Sequence, residues 1–367
     1  MPEAVETPRP AWPPDWPCAH GGPLVAGDYR ASPEDFIVEE CLDFAPEGHG
    51  EHLWLWLEKR DLSTVELARR LARACEVTPR DIGYSGMKDR IAVTRQWLSV
   101  HLPGREAPDD LDVRLGDTPV CVLAHARHPR KLKRGVHRRN RFQLRLSGPI
   151  VTHPELEARW QRLVEAGVPN YFGPQRFGVD GHNLTRACGI LARGWRKRDD
   201  RQGLMLSTAR SYLFNELLAS RIRAGDWSTP LAGDVVMLDG TQSHFVVDSD
   251  AGLPGDASPG DASSDDSSPI ARAARLDLHP AGPLWGVGQR EANAEPADYE
   301  RRLANDNAML CSALERSGVR LARRALRTRL VEPRLERIGE TLELHFELPR
   351  GAFATAVLRE LIAHPTL

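Results

Sequence analysis

The sequence predicts an α+β fold, that is, a mixed α/β protein, with two domains. Patterns typical of strands and of helices alternate along the chain, and strand patterns at both ends enclose a middle part of different character. A chain of 367 residues is also longer than one hydrophobic core ordinarily serves. We therefore expect one domain built from both ends of the chain and a second domain inserted into it.

Local signals justify the individual elements. Ser63 and Glu66 have the spacing of a capping box, which predicts that a helix begins at residue 64. Runs that are apolar throughout, or that alternate with polar residues, predict strands, and apolar residues three or four apart predict helices. The predicted strands are 53–59, 94–102, 142–146 and 342–348, and the predicted helices are 64–75, 153–166, 206–223, 297–317 and 351–363.

Composition sets the domain boundaries that we expect. Residues 1–20 are rich in proline near the N-terminus and predict a disordered tail. Residues 248–269 contain six Asp and no Lys or Arg, and this low-complexity stretch predicts a disordered acidic loop. The first domain is expected to comprise residues 21–167 and 316–367, and the inserted domain residues 168–315.

The bulk composition excludes several classes of protein. An apolar content of 41% and a charged content of 27% are typical of a soluble globular protein. No apolar run approaches the ~20 residues that cross a bilayer, and the N-terminus lacks the apolar region of a signal peptide. The six cysteines are scattered singly, which predicts reduced thiols in a cytoplasmic protein.

Common catalytic and cofactor motifs do not occur in the sequence. The signatures of α/β-hydrolases, P-loop nucleotide triphosphatases and dinucleotide-binding dehydrogenases are all missing. Glu47, His49, Glu51 and His52 do not have the spacing of a metal site, and we expect a polar loop there. The sequence thus predicts no metal and no nucleotide cofactor.

Positive charge is concentrated in one stretch, although the formal net charge of the chain is only −2. Residues 127–145 contain nine Lys or Arg and no acidic residue. That density favours binding of a polyanion such as nucleic acid over an ordinary solvated basic surface. The side chains that we expect on a nucleic acid backbone are Arg127, Arg130, Lys131, Lys133, Arg134, Arg138 and Arg139.

The loop 83–90, with the sequence GYSGMKDR, carries the main candidate for chemistry. Glycine permits unusual backbone angles or the close approach of a ligand, and a carboxylate beside a cation is readily kept charged. Asp89 is therefore a candidate catalytic residue, with Lys88 as its support. On its own, an aspartate in such a loop is more often a turn former, and Lys88 can equally be a solvated neighbour.

Three aromatic residues and one amide are candidates for recognition of a base. Phe36, Phe142 and Phe353 each fit core packing when considered singly, and that interpretation is favoured for each one alone. Aromatic rings beside basic residues also suit stacking on an unpaired base. Asn140 lies where the basic stretch enters a predicted strand.

Together these segments resemble one family, the TruD family of tRNA pseudouridine synthases. The loop 83–89, with Ala92, Thr94 and Gln96, resembles the signature of that family. Further segments agree with the family in the same order along the chain: 33–36 (PEDF), 140–142 (NRF), 168–178 (VPNYFGPQRFG) and 351–355 (GAFAT) with Arg359 and Glu360. The resemblance extends from near residue 30 to near residue 360.

The resemblance implies a fold and an activity. The fold is a pseudouridine-synthase-type catalytic domain on a mixed, largely antiparallel sheet, interrupted by an inserted TRUD-type α/β domain. The activity is that of an isomerase, an intramolecular transferase that converts uridine 13 in the D-arm of tRNA to pseudouridine. No cofactor is implied, tRNA is the expected partner, and a monomer is the expected state.

The resemblance also assigns roles to residues. It implies that Asp89 is the catalytic aspartate and that Phe142 stands beside it. Phe36, Asn140 and Phe353 are implied to bind the uracil. Three features depart from the expected pattern: Arg30 stands where we expect Lys, Met87 occupies a variable position, and the acidic segment 248–269 is longer than expected.

Pseudouridine formation suits these residue types. The N1–C1′ bond breaks, the uracil turns, and the ring is rejoined through C5, after the base has left its stack at a cost of roughly a few kcal/mol. Phe36 and Phe353 would offset part of that cost by stacking, and Asn140 would bond the Watson–Crick edge. Lys88 or Arg30 would keep Asp89 charged as nucleophile or base. The sequence leaves open whether the aspartate attacks C1′ or drives elimination to a glycal.

Two other functions are considered. A tRNA-binding module or RNA chaperone without chemistry would share the basic and aromatic residues, but it would gain little from Asp89. A glycosidase that acts on nucleosides through paired carboxylates would release free uracil. If RNA binds between the two predicted domains, further cations of the inserted domain would contribute, namely Arg176, Arg196, Lys197 and Arg198.

Overall fold

The structure is a computed structural model that describes residues 12–108, 110–200, 203–248 and 267–367. The chain divides into two compact units. The sheet unit contains Val25–Leu156 and Leu330–Gly351, and the helical unit contains Glu157–Arg329, Ala352–Leu367 and the segment that ends at Leu24. Residues 1–11 of the predicted tail and residues 249–266 of the predicted acidic loop lie outside the described part of the chain.

The helices and strands have the following bounds. The strands are β1 Val25–Ala26, β2 Phe36–Cys41, β3 His52–Arg60, β4 Ile82–Tyr84, β5 Val93–His101, β6 Val120–His128, β7 Arg139–Leu146, β8 Val168–Pro169, β9 Val235–Leu238, β10 His244–Val246, β11 Leu278–Leu284, β12 Ala322–Ala325, β13 Arg327–Thr328, β14 Val331–Ile338, β15 Thr341–Pro349 and β16 Ile362–Ala363. The α-helices are α1 Thr64–Ala74, α2 Leu111–Leu115, α3 Leu156–Ala166, α4 His182–Ala192, α5 Leu204–Ala224, α6 Pro269–Ala274, α7 Ala294–Asp306, α8 Ala308–Arg316 and α9 Ala354–Leu358.

The sheet unit is organised around one sheet of eight strands. The strand order is β14-β15-β7-β2-β5-β3-β6, and β4 pairs with β5 outside this path. The β2–β5 pair is parallel and the other pairs are antiparallel, which confirms the predicted mixed, largely antiparallel sheet. Because the sheet is joined from distant parts of the chain, β2 and β7 lie side by side although about a hundred residues separate them.

The core of the sheet unit lies between β3, β5 and α1. Leu55 and Leu57 of β3 and Leu67 and Leu71 of α1 are completely or almost completely buried in one apolar cluster. The helix begins as predicted, because the Ser63 hydroxyl accepts the main-chain N–H of Glu66. The packed helix fixes the position of the loop that follows it and leads into β5.

The helical unit has its own sheet and its own core. The sheet order is β10-β9-β11-β12, and β8 and β13 form a separate two-stranded pair. Helix α5 is buried on most of its surface, and its Asn215 side chain bonds both the main-chain N–H of Phe172 at 2.9 Å and the main-chain carbonyl of Phe172 at 3.0 Å. These two bonds hold the Phe172 backbone, from which the aromatic ring packs against Phe214 and Phe353.

Two ends of the chain differ from the expectations based on sequence. Residues 12–20 belong to the predicted disordered tail, but they pack in the helical unit: Trp16 stacks on Tyr171, and its indole N–H donates to Glu216 at 2.7 Å. The C-terminal residues 352–367 also pack in the helical unit, whereas the sequence predicts that they share a domain with residues 21–167. Contacts of Phe353 and Arg359 with the rings of Phe172 and Tyr171 account for this. The functional names of the two domains stay a prediction.

Two predicted helices are shorter than expected. The pattern over 297–317 forms two helices, because Asn307 leaves helical geometry between α7 and α8. The predicted helix over 351–363 is wrong beyond Leu358, where α9 ends. The carboxylate of the fully buried Glu360 accepts the main-chain N–H groups of Ala19 and His20 at 3.0 Å each, which favours a turn in place of another helical turn.

Two further properties follow from the described residues. None of their helices is long and apolar enough to cross a lipid bilayer. All six cysteines are free thiols.

Candidate active site

Strand β4 and the loop that joins it to β5 lie close against the segment 131–137. A side chain at Gly83 would clash with the main-chain carbonyl of Leu132 and the hydroxyl of Ser99, and one at Gly86 would come within 2.9 Å of the His137 ring. Neither glycine has a positive φ. The two glycines are therefore required by close packing of the protein on itself, not by unusual backbone angles.

Two buried polar side chains fix the loop from behind. The Thr64 hydroxyl accepts the main-chain N–H of Lys88 at 2.9 Å and donates to Gln96 Oε1 at 2.8 Å. The Gln96 amide donates to the main-chain carbonyl of Gly86 at 3.4 Å. Since Thr64 begins α1 and Gln96 lies on β5, the loop is tied to two rigid elements.

The carboxylate of Asp89 is reachable from solvent. Its side chain is 40% exposed, and Oδ2 accepts a hydrogen bond from Arg30 Nη2 at 3.0 Å. The Arg30 guanidinium lies 3.7 Å from the centroid of the Phe36 ring, which is a cation–π contact. Phe36 is only 1% exposed, so its ring supports Arg30 from within the core.

A second cation contacts the same residue from the interior. Lys59 Nζ donates to the main-chain carbonyl of Asp89 at 2.9 Å, and the Lys59 side chain is completely buried. Burial lowers the pKa of Lys59 to about 8, against the opposing attraction of the Asp89 charge. Lys59 is not among the residues predicted from the sequence, although a lysine that follows the apolar run 53–57 is a signal for it.

Lys88 points to a different group of residues. Its Nζ lies 2.6 Å from Asn140 Oδ1 and 2.9 Å from Glu40 Oε2. The side chains of Lys88 and Glu40 are 5% and 0% exposed. Lys88 thus neutralises Glu40 and bonds Asn140, whereas Arg30 takes the position beside the Asp89 carboxylate.

The buried cluster around Lys88 also includes Ser85 and His137. The Ser85 hydroxyl accepts the main-chain N–H of His137 at 2.7 Å and lies 2.5 Å from His137 Nδ1. Burial, together with the positive charges of Lys88 and Arg350, lowers the pKa of His137 to about 3, so the ring is neutral at pH 7. Burial raises the pKa of Glu40, and the charge of Lys88 opposes that rise. Glu40 and His137 are not among the site residues predicted from the sequence.

The remaining predicted recognition residues lie in two places. Phe142 packs against Phe36 and Phe346 in the sheet unit, with ring centroids 6.2 and 5.5 Å apart. Phe353 belongs to the helical unit, where it is half-buried against Phe172 and lies 5.9 Å from the guanidinium of Arg176. The structure therefore brings Asp89, Arg30 and Phe36 together, and it describes Phe353 within the other unit.

The basic stretch is less uniform than its sequence indicates. Arg138 and Arg139 pair with Asp43 and Glu347, at 2.5 and 3.2 Å. Arg127 bonds main-chain carbonyls and lies 3.4 Å from Glu106, and Lys131 donates to the carbonyl of Arg80. Arg134 contacts the ring and hydroxyl of Tyr84.

Two other cations of the basic stretch, Arg130 and Lys133, form none of these contacts. Arg130 and Lys133 are exposed and have no carboxylate partner among the residues that the structure describes. Exposed and unpaired cations contribute most to binding a polyanion, because no internal pair must be broken first. Within the described ranges, no group of three or more His, Cys, Asp and Glu side chains is arranged to hold a metal ion.

Comparisons with known proteins show which family the chain is similar to. The chain matches the family model of tRNA pseudouridine synthase D (TruD) over residues 19–196 and 199–361. It is 58% identical to the tRNA pseudouridine synthase D of Chromohalobacter salexigens, over 98% of this chain and 99% of the relative. The protein of that name from Pseudomonas putida strain F1 is 43% identical over 94% of each chain.

The fold is also similar to a solved structure. That structure is the putative tRNA pseudouridine synthase D (TruD) from Methanosarcina mazei, with a TM-score of 0.64 over 96% of each chain. The sequences are 21% identical, so this likeness concerns the fold alone. The predicted α+β fold is confirmed.

Proposed function

This chain belongs to the tRNA pseudouridine synthase D family, and we propose that it isomerises uridine 13 in the D-arm of tRNA to pseudouridine. The family match covers nearly the whole chain and supports the general reaction, uridine to pseudouridine in tRNA. One observation carries the assignment of the reacting group: the exposed carboxylate of Asp89, held by Arg30 at 3.0 Å on a loop that buried side chains fix.

The reaction requires a group that acts at C1′ and at C5 of the uridine. The N1–C1′ bond breaks, a C5–C1′ bond forms, C5 loses a proton and N1 gains one, so the composition is unchanged. An ionised carboxylate can serve as the nucleophile at C1′ or as the base that begins elimination, and later as the base at C5. Asp89 is accessible enough for either role, and its carboxylate forms an ion pair with Arg30 at 3.0 Å.

Arg30 has a positioning role in this proposal. Its guanidinium lies between the Phe36 ring and the Asp89 carboxylate, so the contact with the ring restricts where the cation can go. A planar guanidinium can bond one carboxylate oxygen and still offer further N–H groups to a ribose or phosphate oxygen. The arginine therefore suits this position although we expected lysine there.

Binding of tRNA is proposed to depend on the exposed cations and on the reachable aromatic ring. Arg130 and Lys133 are the strongest candidates for phosphate contacts, because the charges of Arg138 and Arg139 are already paired. Of the two rings proposed to stack on uracil, Phe353 keeps exposed surface, whereas one face of Phe36 carries the Arg30 guanidinium. We propose a monomeric cytoplasmic enzyme that needs no cofactor, since the isomerisation has no net redox change.

The test uses two transcripts of one tRNA that differ only in uridine or cytidine at position 13. Pseudouridine is mapped by carbodiimide modification and primer extension. We expect a new stop at position 13 with the uridine transcript and none with the cytidine transcript. Binding without pseudouridine in either transcript would favour the RNA-binding module, and release of free uracil would favour the glycosidase. Pseudouridine at another position would support the general reaction but contradict the assignment of uridine 13 as the target.

A further inference from the structure

We propose that Lys88 fixes the amide of Asn140 so that only its N–H groups face the substrate, which lets one side chain bond uracil both before and after the ring turns. Lys88 is thus a positioning residue that acts through Asn140. The inference rests on the proposed function, because it names how the uracil is held in that reaction.

The orientation of the Asn140 amide follows from its contact with Lys88. An ammonium group has three donors and no acceptor, so the Asn140 atom 2.6 Å from Nζ must be the oxygen. The oxygen is thereby occupied, and Nδ2 has no hydrogen-bond partner among the residues that the structure describes. Asn140 is only half-buried, so this amino group is available to a ligand.

Glu40 holds Lys88 in place. Glu40 and Asn140 are directly opposite one another in the antiparallel register of β2 and β7. The carboxylate of Glu40 is fully buried, 2.9 Å from Nζ, and it anchors the ammonium beneath Asn140. Gly86 contributes by its missing side chain, since a Cβ there would lie 3.4 Å from Nζ and 2.9 Å from the His137 ring.

The symmetry of uracil makes a fixed donor useful. The ring carries carbonyl oxygens O2 and O4 on either side of N3–H, and turning it by half a revolution about the N3–C6 axis exchanges them. The same turn exchanges N1 with C5, which is the change that the reaction needs. A donor that bonds O4 before the turn therefore bonds O2 after it, whereas an amide free to flip would offer an acceptor in part of its population.

The same arrangement discriminates between bases. Cytosine has an amino group in place of O4, so it presents a donor to the Asn140 N–H groups in one of the two orientations. A donor that faces another donor leaves both groups without an acceptor, which disfavours binding of that base. Asn140, once fixed by Lys88, is thus expected to select uridine over cytidine.

The experiment is a mutant cycle measured by single-turnover pseudouridine formation and by tRNA affinity. Lys88→Met is always introduced together with Glu40→Gln, so that neither member of the buried pair is left without a partner. This paired change is made in the unaltered chain and in Asn140→Ala. We expect it to slow the reaction about tenfold in the first background and less than about twofold in the second, with tRNA affinity changed less than about threefold.

Equal slowing in both backgrounds, or none in the first, would overturn the proposal, because Lys88 would then act independently of Asn140.

A second variant changes the group that faces the uracil but keeps an oxygen atom beside Lys88. Asn140→Asp keeps an oxygen for Lys88 but presents an acceptor to the uracil carbonyl, so it should be slower than Asn140→Ala; an equal or faster rate would contradict the inference.

Two reference proteins separate this inference from the proposed function. The unaltered chain and Asp89→Asn are assayed on the same tRNA. An unaltered chain without activity would overturn the proposed function itself. An active chain whose variants lose activity additively would overturn the role of Lys88 alone.

Discussion

Lys88 and Asp89 are consecutive residues in one loop, yet their surroundings are opposite. Asp89 forms an ion pair with Arg30 in which both side chains retain exposure, 40% and 24%. Lys88 forms an ion pair with Glu40 in which the side chains are 5% and 0% exposed. The loop thus presents a carboxylate to solvent and seals the neighbouring cation inside the sheet unit.

This difference in exposure indicates that the Asp89–Arg30 pair takes part in the reaction, whereas the Lys88–Glu40 pair holds other groups in position. An exposed pair contributes only about 0–1 kcal/mol to stability, because water screens it. Removing one partner of a buried pair costs about 3–5 kcal/mol, because the other charge is left in the interior. We therefore expect the two pairs to separate in experiment: one affects mainly the reaction, and the other affects the fold as well.

The largest effect is expected when the buried pair is broken on one side. Lys88→Met leaves Glu40 without a counter-charge, and the free energy of unfolding should fall by about 3–5 kcal/mol. Glu40→Gln together with Lys88→Met should recover much of that loss. Chemical denaturation followed by circular dichroism measures both, and a double variant no more stable than Lys88→Met would contradict the assignment of this pair.

Lys59 provides a pH-dependent test of the interior side of the loop. Burial lowers the pKa of Lys59 to about 8 in the folded protein, from about 10.5 for an exposed lysine. The unfolded chain binds the Lys59 proton more tightly than the folded protein does. The contribution of Lys59 to the free energy of unfolding therefore increases between about pH 8 and pH 10.5, by at most about 3 kcal/mol. The unfolding free energies of the unaltered chain and of Lys59→Met should diverge in favour of the unaltered chain between pH 8 and 10. Parallel pH curves for the two proteins would show that Lys59 does not titrate there.

The exposed pair should behave in the opposite way to the buried one. Arg30→Gln is expected to change the unfolding free energy by less than about 1 kcal/mol, yet to slow pseudouridine formation about ten- to a hundredfold. Arg30→Lys keeps the charge and should recover part of the rate. If Arg30→Gln lowered the free energy of unfolding as much as Lys88→Met does, the proposed difference between the exposed and the buried ion pair would be contradicted.

The smallest effect concerns the salt dependence of tRNA binding. Arg130→Ala with Lys133→Ala should reduce the slope of log affinity against log salt by about 1.5, because both cations are exposed and unpaired within the described residues. The matched control, Arg138→Ala with Arg139→Ala, removes cations that are already paired with Asp43 and Glu347, and it should change the slope less. Filter binding at several salt concentrations measures both slopes. Equal changes in slope for the two double variants would show that ion pairing within the protein does not determine which cations bind tRNA.

Features that depend on a local sequence pattern could be predicted from the sequence. The capping signal at Ser63, the strand 53–59 and the loop around Asp89 are all local features, and the structure contains each of them. The partners of that loop are not local. Glu40 lies near both Lys88 and His137 because β2 pairs with β5 on one side and with β7 on the other.

The same limit explains two errors. The nine cations of 127–145 had no acidic neighbours in sequence, but β15 brings Glu343 and Glu347 beside Arg145 and Arg141 from about two hundred residues away. The predicted C-terminal helix ended early because Glu360 is used by main-chain N–H groups of residues 19 and 20. Sequence patterns do not report contacts across such separations.

Single-turnover pseudouridine formation by Asp89→Asn tests the central claim most directly. The amide keeps the size and the contact region of the side chain but removes the charge that the reaction needs. We predict no pseudouridine in a time that allows the unaltered chain to convert all of its tRNA, with affinity for tRNA within about threefold of normal. Pseudouridine formed by Asp89→Asn at the unaltered rate would contradict the assignment of Asp89 as the reacting carboxylate.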